Sequence, residues 1–208
     1  LRLPRVTKHQ RQFNMAAMVL KGLEDKTYRG AVIASPSTPW GDSPSGYHAV
    51  WARDLYHIAT AFDALGDRAA ANRVLDYLFK VQQKPDGSFP QNSWVDGRPI
   101  GNGLQMDQVG LPLVLAGQLK RSDRELWLRH VKPAADFIVQ HGPRTEQDRW
   151  EERPGYSPAT IAAEIAGLRA AGRIASINAD EAVAKHYFKT ADKWNEQIEQ
   201  WTVTRGDG

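Results

Sequence analysis

Helix starts recur along this chain at a near-constant interval, and that recurrence limits the fold more than any other feature. Strongly apolar helices fed by long loops are expected to begin near His48, Leu104 and Ser157. More amphipathic partners are expected to begin near Asp67, Ser122 and Asn178. Both series step by roughly 55 residues, a helix-pair repeat length. The turn inside each pair is short and the loop to the next pair is long. All the long loops should therefore emerge at one end. Inner helices apolar on most faces, with amphipathic helices outside them, describe an α/α toroid or a solenoid.

The individual elements follow from spacing and caps. Residues 6–26 carry Phe13, Met15, Val19, Leu20 and Leu23 at helical intervals. Residues 31–34 read as a short β-like run, followed by a Pro/Ser/Gly-rich loop to Gly46. A helix over 48–65 stops at Gly66, and Asp67 can cap the next, which reaches Val81. A loop over 84–103 leads to an apolar helix over 104–119. Ser122 with Glu125 has the spacing of a capping box for a helix ending near Gly142. Ser157-Pro158 opens a helix over 159–174, and Asn178 with Glu181 opens the last, to about Trp201. Residues 202–208 read as a linker. An open arc of about three helix pairs would expose apolar inner surface, so a fragment, or a half that needs a partner, is expected.

Composition removes several classes of function. The 208 residues are 41% hydrophobic and 25% charged, ordinary for a globular chain, and no apolar run approaches membrane-spanning length. The net charge of +3 is dispersed, without the dense basic and aromatic cluster of a nucleic-acid binder. Cysteine is absent, so disulfide and thiolate chemistry are excluded. The six histidines show no metal-ligand spacing, and no Gly-rich phosphate loop or Gly-x-Ser-x-Gly occurs. No metal or cofactor is expected. The first residues lack a signal-peptide pattern, which leaves localisation open.

Tryptophan is the unusual residue, with seven in the chain. Trp40, Trp94 and Trp150 fall in three successive long loops, and Trp51 stands at the start of an inner helix. Tyr47, Phe89 and Tyr156 lie in the same places. Aromatic rings gathered at one end make flat platforms for the C–H faces of sugars, or they plug a toroid mouth. Trp127, Trp194 and Trp201 lie on helices as packing residues. Polar residues join the same end. Arg53-Asp54 puts a cation and an anion in the first turns of an inner helix, facing a cavity or setting the helix start as an ion pair. Gln105 and Asp107 hold the corresponding place on the next inner helix. Asp148-Arg149-Trp150-Glu151-Glu152 sets two carboxylates between aromatics, just ahead of the third. A carboxyl beside an indole and another carboxylate should titrate high, as a general acid requires, and a solvated capping loop is the alternative.

Three stretches resemble the glucoamylase and glucodextranase group, glycoside hydrolase family 15, especially its bacterial members. They are residues 31–37 (AVIASPS), 47–55 (YHAVWARDL), and Trp150-Glu151-Glu152 ahead of Tyr156-Ser157-Pro158-Ala159-Thr160-Ile161. The resemblance covers about residues 6–203. It implies an all-α fold, the (α/α)6 toroid of six helical hairpins. Residues 1–208 would supply the N-terminal portion, roughly the first half, of one catalytic domain. It implies exo-acting, inverting hydrolysis of α-glucans or α-gluco-oligosaccharides from non-reducing ends, releasing β-D-glucose. Glu151 resembles the general acid and Glu152 its substrate-binding neighbour. Arg53 and Asp54 resemble the pair holding the terminal glucose hydroxyls. Trp51, Trp150 and Trp94 resemble subsite aromatics. Trp40, Tyr47 and Asp107 are added as substrate-binding candidates on their position in the chain.

The family's catalytic base is a second Glu in the later half of the barrel, beyond this chain. The 208 residues are therefore expected to be inactive alone and to need the C-terminal half. A trehalase or isomalto-oligosaccharide glucohydrolase of the same family would share these motifs, and a non-catalytic sugar-binding helical protein would keep the Trp platforms. Secretion or a periplasmic location would suit a bacterial polysaccharide-degrading enzyme.

Overall fold

The computed structural model describes residues 4–6, 8–38 and 46–203. The elements are α-helices: α1 (Gln10–Gly22), α2 (Ala52–Ala64), α3 (Arg68–Tyr77), α4 (Asp107–Gln118), α5 (Arg124–Leu126), α6 (Lys132–His141), α7 (Pro158–Ile177) and α8 (Glu181–Thr202). π-helical turns at Leu78–Gln82 and Trp127–Val131 extend α3 and join α5 to α6. The β-like run at 31–34 supplies one isolated bridge, Glu24 to Val32, and not a strand. The described residues form two compact units, residues 1–82 with 92–101 and residues 83–91 with 102–208.

In the first unit α2 packs on α3 through Leu55, Ala59, Phe62, Ala71, Val74 and Leu75, all buried. Asp67 caps α3 as its position implies, its carboxylate accepting from the Ala70 N–H at 3.0 Å. A buried carboxylate ties the end of α1 to this pair. Glu24 accepts from Arg73 Nε at 2.7 Å and from Lys21 Nζ at 3.0 Å, and Lys21 also reaches Asp67 at 2.9 Å. Burial opposes ionisation of Glu24, but the hydrogen bonds and charges of Arg73 and Lys21 overcome it and lower its pKa to about 2.

In the second unit α7 packs on both α4 and α8. The contact between α4 and α7 is made by backbone. A Cβ on Gly110 would lie 2.5 Å from the Ala163 carbonyl oxygen, and one on Gly167 would lie 2.8 Å from the Gly110 carbonyl oxygen. Only glycine permits that approach. Both helices are largely buried, as expected of inner helices, while α8 buries the stripe Ala184, Tyr187, Ala191 and Trp194.

Several boundaries differ from the sequence expectation. The helix expected from His48 starts at Ala52, because Val50 pairs with Ser93 in an antiparallel bridge and holds the chain extended. That expected from Leu104 starts at Asp107, since residues 104–106 bond to Thr145 and Gln147 instead. The capping-box serine is displaced by its neighbour. Asp123 caps α5, accepting from Leu126 N–H at 3.1 Å, while the Ser122 carbonyl accepts from Asn178. Asn178 in turn closes α7, donating to Ile174 O at 2.9 Å, and α8 begins after Asp180.

Candidate active site

The first unit carries five of the expected substrate-binding residues among those described, on two loops and a helix start. Val50 and Ser93 exchange both backbone hydrogen bonds, at 2.9 and 3.0 Å. Gln82, fully buried, donates to Val50 O at 3.0 Å and Ser93 Oγ at 2.9 Å, locking the bridge from beneath. Trp51 follows this bridge as the extended N-cap of α2, buried, with Tyr47 6.3 Å away between ring centroids. Arg53 and Asp54 occupy the first turn of α2, both half-buried. Trp94 belongs to a hairpin whose turn is closed by Gly97 N–H to Trp94 O at 3.0 Å, and the Tyr77 hydroxyl donates to the same carbonyl. Trp94 is 39% exposed. Tyr47 is exposed as well. Trp40 lies outside the described residues.

The second unit carries the paired carboxylates on a hairpin. Thr145 and Gly155 exchange backbone hydrogen bonds at 3.0 and 2.9 Å, and Asp148 N–H donates to Arg153 O at 2.9 Å. The tip, 149–152, is shaped by Asp148. Its carboxylate accepts from Trp150 N–H at 3.0 Å and Glu152 N–H at 3.1 Å. The Glu152 amide is the chief cause of a lowered Asp148 pKa. Glu151 N–H donates to Asp148 O, and the Glu151 backbone is left-handed, with φ +67°. That conformation is uncommon for a residue with a Cβ and marks a position held by its surroundings.

The left-handed turn directs the Glu151 carboxylate at Gln105, whose Nε2 lies 3.3 Å from its Oε1. The same nitrogen lies 3.3 Å from Gln147 Oε1. Gln105 is itself fixed by Gln108, which donates to Gln105 Oε1 at 2.9 Å and to the Gln91 carbonyl at 2.6 Å. Thr145 Oγ1 accepts from Met106 N–H at 3.1 Å, joining the hairpin to the residues ahead of α4. The two long loops of this unit thus meet at one place, as the repeat requires. Trp150 is 69% exposed, with the Arg149 guanidinium 5.1 Å from its ring centre. Glu152 is also exposed. Asp107 opens α4 and is 5% exposed. Its charge and, above all, burial push the Glu164 carboxyl of α7 well above the usual carboxylate range.

Sequence reasoning passed over two residues of this arrangement. Gln105 is noted beside Asp107 in the sequence, but only Asp107 is counted there as a substrate-binding candidate, and Gln105 meets Glu151. Asp148 was legible as an Asp two residues ahead of an exposed amide, the usual spacing of a side-chain-closed turn. Among the described residues no group of three or more His, Asp or Glu side chains could hold a metal, and no helix is long and apolar enough to cross a membrane.

The sequence profile of Glycosyl hydrolases family 15 matches residues 9–87 and 80–207. The chain belongs to that family. Within it, the chain is 52% identical over 192 residues to a glucoamylase of Clostridium sp. (strain G0005), covering 90% of this chain and 27% of the relative. It is 34% identical over 165 residues to an uncharacterized glycosyl hydrolase of Methanocaldococcus jannaschii, covering 75% of this chain and 25% of that one. The crystal structure of a bacterial glucoamylase complexed with acarbose superposes with a TM-score of 0.83 at 50% identity, over 90% of this chain and 29% of that one. A glycosidase only 20% identical has the same fold, with a TM-score of 0.78. The chain therefore spans less than a third of the length of the curated relatives it matches. As a family 15 chain it carries helical hairpins of the (α/α)6 type that the resemblance implies.

Proposed function

We propose that these residues are the acid-bearing part of an exo-acting, inverting α-glucosidase that releases β-D-glucose from non-reducing ends, as a glucoamylase does. The observation that carries this reading is the Asp148-closed hairpin tip, which holds Glu151 in a left-handed turn with its carboxylate on Gln105. A family 15 chain needs one carboxyl fixed to protonate the departing glycosidic oxygen, and Glu151 is held where the hairpin meets the residues ahead of α4.

In the proposed reaction Glu151 donates its proton to the leaving oxygen as the bond to the anomeric carbon breaks. A second carboxylate deprotonates a water that attacks from the opposite face, which inverts the configuration. Inverting pairs stand about 6.5–9.5 Å apart to leave room for that water. Glu152 adjoins Glu151 at the same tip and has a binding role here. The base is assigned to sequence outside the 208 residues. Arg53 and Asp54 would take the hydroxyls of the terminal glucose, and Trp51, Trp94 and Trp150 would stack on sugar rings, with Tyr47 and Asp107 as further contacts.

The test is an anomer-resolved proton NMR time course on the full-length protein, with maltotriose and isomaltotriose in parallel. Early β-glucose, lost on Glu151→Gln by about 10²-fold or more, is the expected result. Early α-glucose would overturn the inverting mechanism. Glucose from trehalose alone would move the assignment to a trehalase, and binding without turnover of any sugar would leave a sugar-binding protein. The 208-residue chain by itself is expected to release no glucose.

A further inference from the structure

The hairpin that carries Glu151 is fixed at its root on two sides. One side is the hydrogen-bonded seam of Thr145 and Gln147 with residues 104–106. The other is a stacked aromatic pair with a cation over one of its rings. The Tyr156 ring lies nearly parallel to the indole of Trp201, at 10° and 5.2 Å between centroids. The Arg144 guanidinium stands 5.2 Å from the centre of the same Tyr156 ring. Arg144 and Tyr156 flank the Thr145–Gly155 bridge, so both arms of the hairpin enter the stack, and Trp201 supplies the last turn of α8 to it.

We propose that Trp201 is a positioning residue for the general acid, acting through Tyr156; this rests on the assignment of Glu151 above. A one-sided root leaves the hairpin free to pivot about the Thr145 seam, and Gly155, at φ +134°, offers little backbone resistance. Three residues on one arm (146–148) and two on the other (153–154) separate the root from the tip, an arm of up to about 10 Å. A pivot of only about 5° then carries the tip roughly 1 Å, and a misplacement of that size can cost about 10²-fold in rate. A parallel stack with a cation over it resists that pivot, since sliding or opening loses ring contact and the cation–π attraction together. The sequence keeps the three partners far apart, at 144, 156 and 201.

The experiment uses the full-length protein and whichever of maltotriose or isomaltotriose it cleaves faster. Trp201→Ala is expected to lower kcat about tenfold or more while KM stays within about twofold, and Trp201→Phe, which keeps a stacking face, is expected to restore kcat to within about threefold. Loss of packing alone would lower thermal stability without this kcat-against-KM split. Trp201→Leu and Tyr156→Leu keep apolar volume and serve where the alanine variant does not fold. Their double variant should lose no more kcat than the worse single one. A Trp201→Ala or Trp201→Leu enzyme with unchanged kcat overturns the proposal, as does an alanine defect that phenylalanine does not repair. Glu151→Gln is measured alongside. If it leaves β-glucose release intact, the acid assignment and the positioning role fall together. If it abolishes release while the Trp201 variants keep kcat, the positioning role falls alone.

Discussion

Glu151, Asp148 and Glu164 are three carboxyls within one unit, and their surroundings give them different work. Asp148 is an acceptor for backbone amides and is held ionised by them. Replacing it with alanine removes two hydrogen bonds to Oδ1, worth about 1 kcal/mol each, from a tip that already holds an unfavourable backbone conformation. Asp148→Ala is expected to lower kcat of the full-length enzyme by about tenfold or more, whereas Asp148→Asn keeps an acceptor oxygen and should lose less. Steady-state kinetics on the two variants checks the order. Glu164 is the opposite case. It is fully buried on α7, and neither of its oxygens has a hydrogen-bond partner among the described residues. Burial, helped by Asp107, raises its pKa above the unfolded value of 4.5. Stability from this group is complete below pH 4.5 and declines as pH rises toward the folded pKa, by up to about 1.4 kcal/mol per pH unit. Glu164→Gln should therefore be more stable than the wild type at pH 7–8 in urea unfolding, with the gain vanishing below pH 4.5. A loss at neutral pH would show that Glu164 folds as a paired anion.

At the scale of elements, the junction of α1 with α3 and the contact of α4 with α7 respond to different stresses. The first is electrostatic. Glu24 has a lowered pKa, so its contribution is present above pH 4.5 and is lost as pH falls toward 2. Glu24→Gln is expected to cost about 1–3 kcal/mol at pH 7, because Arg73 and Lys21 lose their shared anion, and to flatten the acid limb of stability between pH 4.5 and 2. Circular dichroism melts across that range read both effects. The second junction is steric. Gly110→Ala puts a methyl within 2.5 Å of a backbone oxygen that cannot rotate away, with an expected cost of about 1–3 kcal/mol seen as a lower melting temperature. The helix-pair order was legible from apolar spacing and loop lengths because these are local. Cap identities were less so. Ser122 and Asn178 look like N-caps in sequence, yet the aspartates one and two residues on stand at the N-cap positions, and Asn178 instead closes the preceding helix. The π-helical turns at Leu78–Gln82 and Trp127–Val131 had no sequence signal that apolar periodicity could separate from ordinary helix.

For the molecule as a whole, the motif residues were readable and their couplings were not. Trp51, Arg53, Asp54, Trp150, Glu151 and Glu152 stand out because unusual residue types cluster over a few positions. Gln105 was half visible, since its meaning depends on a contact with Glu151 across 46 positions. The Tyr156–Trp201 stack was invisible for the same reason, and Trp201 read only as a packing residue. The glycine contact between α4 and α7 has a mechanical consequence. Two rods touching backbone to backbone have no layer of side chains between them to compress or repack, so they shift together as a single beam. Gln105 hangs just ahead of one rod and the Glu151 hairpin just ahead of the other. Any displacement of one should drag the other with it, so the distance between Gln105 and Glu151 is set by the framework itself.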